Sequence, residues 1–189
     1  MKNLKTVAIA LLVAFGTVTA SAQEKKVDVS KSKITWTGKK VTGQHDGTVN
    51  LKDGSLTFKG NKLVTGNFTV DMNSIAVTDL KAGQGKEKLE GHLKADDFFG
   101  TDKFATSALK FRTVTPKSGN VYTVEADLTI KGITKPVTFE LTAGKNTATT
   151  SFKIDRTKYD IKYGSGSFFD NLGDKAINDE FEVNVTLVY

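Results

Sequence analysis

The segment Phe181-Glu182-Val183-Asn184-Val185-Thr186-Leu187-Val188-Tyr189 alternates apolar and polar side chains, interrupted only by Val188. Successive side chains on a strand point to opposite faces, so the run buries Phe181, Val183, Val185, Leu187 and Tyr189 and shows its other face to water. The same period recurs upstream. Tyr122, Val124, Ala126, Leu128 and Ile130 alternate with Thr123, Glu125, Asp127 and Thr129. Val64, Phe68, Val70 and Met72 alternate with Thr65, Asn67, Thr69 and Asp71, with Gly66 in register on the apolar face. Shorter runs stand at Ile34 and Trp36, at Leu109 and Phe111, at Val137, Phe139 and Leu141, and at Phe152 and Ile154.

Turn signals at Asp53-Gly54, Lys59-Gly60-Asn61, Ser118-Gly119-Asn120 and Gly144-Lys145-Asn146 separate these runs, and proline is limited to Pro116 and Pro136. About eight or nine half-buried strands joined by short turns predict an all-β fold. The arrangement is an antiparallel meander, closed into a barrel or folded into a sandwich. An eight-stranded barrel either fills its interior with side chains or holds one small ligand there, and the periodicity alone leaves both open. One segment departs from the rhythm. Over residues 86–99, Leu89, Leu93 and the pair Phe98-Phe99 fall near helical spacing with charges between them, which predicts a short amphipathic helix between strands. Gly91 weakens it by about 1 kcal/mol relative to alanine.

The first residues, Met1-Lys2-Asn3-Leu4-Lys5-Thr6, precede an apolar run from Val7 to Val18, then Thr19-Ala20-Ser21-Ala22 and the polar Gln23-Glu24-Lys25-Lys26. A basic start, a short apolar stretch and small residues at Ala20 and Ala22 are what signal peptidase reads, so 1–22 is predicted as a Sec signal peptide cleaved after Ala22. The apolar run falls short of the roughly 20 residues of a membrane span, and the mature chain is expected to carry no transmembrane segment. Export implies a periplasmic protein, with 23–189 forming one domain.

The 189-residue chain has 27 basic and 21 acidic residues and no cysteine. Loss of Lys2 and Lys5 with the leader brings the net charge to about +4, in the ordinary range for a soluble domain. Lysines are scattered rather than gathered into a stripe, which argues against nucleic acid. Absence of cysteine excludes disulfides, thiolate metal sites and a cysteine nucleophile. His45 and His92 are the two histidines, and neither has metal-ligand spacing. No Gly-x-Ser-x-Gly elbow is present, and Gly164-Ser165-Gly166-Ser167 lacks the spacing and the lysine of a phosphate loop. Asp96 and Asp97 are sequence neighbours and do not face one bond from two sides. The chain reads as a non-enzyme.

The segment Leu89-Glu90-Gly91-His92-Leu93-Lys94-Ala95-Asp96-Asp97-Phe98-Phe99 resembles the hallmark of the YceI-like family, the bacterial polyisoprenoid-binding proteins. Blocks at 32–38, 66–75, 128–137 and 152–157 resemble the family's in the same order, so the likeness covers nearly the whole mature chain. Gly100 and Ala105 stand where the family commonly has an aspartate and a proline, a departure expected to alter a loop rather than the barrel. The tail Arg156 to Asp179, with Tyr159, Tyr163, Phe168, Phe169 and Leu172, is placed to cover a barrel mouth.

The resemblance implies an extended lipocalin-like barrel whose apolar channel holds a polyisoprenoid, an isoprenoid quinone or a similar lipid, with no reaction and no required cofactor. The other reading is a filled barrel in the envelope that acts through a protein partner. Wall residues for a ligand are the inward members of the alternating runs: Trp36, Phe68, Val70, Leu109, Phe111, Leu128, Ile130, Phe139, Phe152, Ile154, Phe181, Val183 and Val185. Leu93, Phe98 and Phe99 would cap one end. A polar head group would meet His45, Arg112, Arg156 or Tyr159, and a homodimer would form through an exposed strand edge.

Overall fold

The computed structural model describes residues 21–189; the predicted leader, apart from its last two residues, lies outside them. Nine strands run in chain order: β1 (Ala22–Lys26), β2 (Lys33–Lys40), β3 (Gly43–Lys59), β4 (Lys62–Val77), β5 (Thr106–Ser118), β6 (Val121–Ile130), β7 (Ile133–Ala143), β8 (Thr147–Asp155) and β9 (Ile177–Val188). All pairings are antiparallel. β9 pairs with β2 and β3 with β4, so β2 to β9 close into an eight-stranded barrel. β1 stands outside the ring, paired with Ser55–Lys59 on the edge of β3 that β2 pairs with at Gly43–Val49. The fold is the lipocalin-like barrel that the resemblance implies, one of the two arrangements the alternation left open.

Alternation places the core. Tyr122, Val124, Ala126, Leu128 and Ile130 are all buried, as their parity in β6 requires. Gly66 also faces inward: a Cβ there would lie 2.8 Å from Leu56 and 2.9 Å from Phe111, so only glycine lets these side chains meet over the strand.

Two local readings are corrected. Asp53-Gly54 is no turn but lies in the middle of the 17-residue β3. The register slips between Leu51 and Asp53, and the Phe68 ring comes within 2.5 Å of where a Gly54 Cβ would stand. Glycine serves there as a β-bulge and a close approach, a role that looks like a turn in sequence. Val64 faces solvent although its parity matches Phe68, because a second slip, at Thr57/Phe58, sets Leu63 opposite Phe58 and Thr65 opposite Thr57. The extra residue turns Leu63 inward and Val64 out.

The helix α1 (Lys86–Lys94) sits between β4 and β5 and ends sooner than the spacing suggested. Glu90 Oε1 accepts the Val77 N–H at 2.9 Å, tying the helix to the end of β4. Leu93 is its buried residue, while Phe98 and Phe99 follow in the connection to β5, both buried. No described helix is long and apolar enough to cross a membrane.

The barrel wall is continuous except between β7 and β8. Their ladder holds two pairs, Thr142 with Thr149 and Ala143 with Ala148, and then the strands part. Thr150 Oγ1 donates to the Glu140 carbonyl across the gap at 2.6 Å, and Phe139 stacks on Phe152 with ring centres 4.6 Å apart. Pro136 lies in the parted stretch of β7. It has no N–H to offer a ladder, and strands tolerate proline where pairing is open.

Candidate functional site

A cavity of about 190 Å³ occupies the barrel interior. One water needs roughly 10–15 Å³ on such a scale, so this is far larger than a packing defect. All sixteen residues named from the sequence as wall or cap line it. Phe181 to Leu187 of β9 lie along its length. Six residues at about 3.3 Å each span about 20 Å of strand, or about 15 Å along the barrel axis after strand tilt.

Trp36 shows how the wall is set. Its indole N–H donates to the Thr48 carbonyl at 3.3 Å, which leaves the ring faces for apolar contact. The ring lies so close to Gly47 that a Cβ there would be 2.2 Å from it, so glycine at 47 makes room for the indole against β3.

At one end the cavity is covered from outside the barrel. Leu93 of α1 and the perpendicular pair Phe98 and Phe99, with centroids 5.1 Å apart, close over it, and Phe99 meets Phe181 edge to face. The loop carrying the two phenylalanines is fixed by Lys131, whose Nζ donates to the Asp96 carbonyl at 2.8 Å.

Arg156 is the keystone of this cover. It is 2% exposed, and four of its five N–H donors are spent on backbone carbonyls: Nε on Asn178 at 3.0 Å, Nη1 on Ile161 at 2.9 Å and Tyr163 at 2.8 Å, and Nη2 on Ile177 at 3.0 Å. Asp179 lies 3.7 Å from Nη2. Burial by itself raises the Asp179 carboxyl, but hydrogen bonds from Ser165 and Ser167 and the arginine charge outweigh it and hold the group below the usual aspartate range. Desolvation lowers the Arg156 guanidinium against the opposing pull of Asp179 and Asp155. The guanidinium thus clamps both ends of the tail onto the barrel.

The head-group partners suggested by residue type are therefore corrected. Arg156 lines the cavity, yet its N–H groups are committed to the chain. Tyr159 is buried outside the cavity lining, with no partner for its hydroxyl, and burial pushes that phenol up to about 12. His45 pairs with Asp79 at 2.8 Å on the outside of β3, and Arg112 faces Asp127 at 3.5 Å on the outer wall. The other histidine, His92, packs against Phe98 and Tyr163, and Asp96 pairs with Lys103. Of the tail aromatics only Tyr159 is buried; Tyr163, Phe168 and Phe169 are about half exposed.

The structure adds lining residues that the sequence reading passed over. Met72, Leu141 and Leu187 stand at inward positions of runs already recognised, and Val49 and Leu51 alternate in a stretch cut short by Asp53-Gly54. Ser107 shares the parity of Leu109 and Phe111. The remaining polar members are Thr150, Arg156 and Asn178. Among the described residues no three His, Asp or Glu side chains converge as metal ligands.

This geometry meets a family match. The model of the YceI-like domain fits residues 26–189. The chain belongs to the YceI-like family. Relatives in sequence include a UPF0312 protein of Shewanella denitrificans and Protein YceI of Shigella flexneri, each 32% identical over 94 residues, which is 50% of this chain and 47% and 46% of theirs. The chain thus matches about half the length of these curated relatives. Among solved structures, the fold is similar to BcnA of Burkholderia cenocepacia, with TM-score 0.69 at 23% identity over 86% of this chain and 99% of that one. It is also similar to a polyisoprenoid binding domain from Saccharophagus degradans, with TM-score 0.57 at 13% identity over 86% and 95%. At these identities the likeness is one of fold. Within the YceI-like barrel, the departures at Gly100 and Ala105 both fall in the loop between α1 and β5, where Gly100 takes a left-handed φ of 57° that suits glycine.

Proposed function

We propose that this YceI-like protein holds an elongated apolar ligand, an isoprenoid chain or a similar lipid, inside its barrel and does not transform it. The observation that carries the reading is the cavity itself: about 190 Å³ lined by aliphatic and aromatic side chains, with the few polar ones mostly engaged elsewhere. Each methylene-like carbon buried there is worth roughly 0.8 kcal/mol gross, part of it offset by ordering of ligand and protein. Apolar walls discriminate weakly between chains, so binding is tight and tolerant. The role needs no cofactor. That a fold relative is described as a polyisoprenoid binding domain supports the ligand class.

The working place is the periplasm, reached through the leader at 1–22. Cleavage after Ala22 leaves Gln23–Lys26 of β1 able to pair with Ser55–Phe58. An edge-to-edge homodimer would use the outer side of β1, which has no partner strand among the described residues. A filled barrel working through a protein partner is disfavoured by the size of the cavity.

The test is native mass spectrometry of protein purified without detergent from its own periplasm, followed by extraction of what comes off. A stoichiometric lipid adduct is expected. A clean apo mass, with no uptake of added polyprenols or quinones, would overturn the reading in favour of the filled barrel.

A further inference from the structure

The inward positions of β5 run Ser107, Leu109, Phe111, and the first is the polar one among them. Ser107 is 7% exposed and stands opposite Val70 in the β4–β5 ladder. Its Oγ has no hydrogen-bond partner. The start of β5 is fixed at the covered end of the barrel by the Met72 N–H, which donates to the Ala105 carbonyl at 2.9 Å.

The other polar lining groups are accounted for. Thr150 donates across the gap to Glu140, Arg156 is committed to backbone carbonyls, and Asn178 sits exposed at the rim. Leaving a buried hydroxyl unpaired is costly, and an alanine or valine would fill the position without that cost. A serine hydroxyl has one donor and can turn it toward an acceptor in the cavity.

We propose that Ser107 is the polar contact of the cavity and that its ligand is a long apolar chain bearing a carbonyl oxygen, held with that oxygen beneath Leu93 and Phe98. The hydrocarbon then runs toward the packed end. One hydrogen bond in an apolar site fixes both the depth and the direction of the chain. It also gives the site a selectivity that the walls alone lack, because a chain without the oxygen leaves the hydroxyl unpaired. This inference rests on the lipid-holding reading above.

The experiment compares a long-chain methyl ketone with the alkane of equal length, each displacing an apolar fluorescent dye from the full protein. Ser107→Ala is expected to weaken the ketone about five- to tenfold while leaving the alkane within about twofold, and Ser107→Thr, which keeps the hydroxyl, retains most of the ketone affinity. Thermal melting of the apo Ser107→Ala protein is expected at or above the wild-type temperature. Equal effects on both probes, no effect on either, or a lowered melting temperature would overturn the role of Ser107. Failure of the wild-type protein to take up either probe would instead sink the lipid-holding reading on which it rests.

Discussion

The two ends of the barrel are built from different materials. At the packed end Leu56, Val124 and Ala126 are wholly buried, with Leu141, Leu187 and Phe111 against them, all contributed by barrel strands and interlocked over Gly66. At the covered end the cluster of Leu93, Phe98, Phe99, Tyr159 and Ile161 comes from the helix, a loop and the tail, and a single arginine secures it. The first end is closed by the strands' own side chains. The second is closed by segments that could move without opening a strand pair, and the cavity runs between the two clusters, lined by residues of both. If the barrel holds a ligand as proposed, stability and access are separable along one axis, the packed end holding the fold and the covered end gating entry.

The largest expected effect comes from breaking the clamp. Arg156→Ala strips donors from the carbonyls of Ile161, Tyr163, Ile177 and Asn178 and leaves Asp179 without its counter-charge. Removing one partner of such a buried ionic group costs about 3–5 kcal/mol. Hydrogen exchange should show residues 156–179 losing protection while amides of β5 and β6 keep theirs, and bound lipid should leave faster. If protection is lost uniformly, the two ends are one cooperative unit and the separation fails.

The comparison sharpens with a matched pair of leucines. Leu56→Ala should lower the unfolding free energy by about 2–5 kcal/mol in a denaturant titration, because the site is enclosed by β-strands that cannot collapse onto the gap. It should leave lipid retention nearly unchanged. Leu93→Ala removes the same atoms from the covered end, where α1 can settle onto the space. There about 1–2 kcal/mol is expected, with a clear loss of retention. The reverse pattern would show that the cover, not the packed end, holds the barrel together.

How much of this was legible in sequence divides between the strands and the segments that cover them. The strand walls at both ends could be read well, since Tyr122 to Ile130 and Phe181 to Leu187 keep strict alternation and each inward residue obeys it. Parity failed where a bulge intervened: nothing local to Val64 reveals the slip against Phe58, because register is a property of two strands. The Asp53-Gly54 pair has turn chemistry but is occupied by the approach of Phe68, again a long-range fact. The parting of β7 from β8 had a weak signal in Pro136. The clamp had none, since an arginine at 156 acquires its meaning only when carbonyls from 161, 163, 177 and 178 are brought around it. Ser107 was visible by its parity with Leu109 and Phe111, but its lack of a partner could emerge only from the folded wall.

The smallest effect tests the isolation of the covered end. Tyr159 is buried with its hydroxyl unpartnered, and burial, reinforced by Asp155, raises the phenol to about 12. At neutral pH Tyr159→Phe should therefore change stability by less than about 1 kcal/mol, since the phenol makes no bond to lose. The alkaline limb separates the two proteins. An unfolded tyrosine ionises near pH 10. Between there and about 12 the folded protein keeps a proton that the unfolded chain has released. Stability present below pH 10 is then lost as pH rises through that window, and the phenylalanine variant lacks this share of the loss. Phenolate absorbance should show the step at highest pH vanishing in the variant. If that step persists, the Tyr159 hydroxyl reaches water, and the cover over the cavity is more open than its packing indicates.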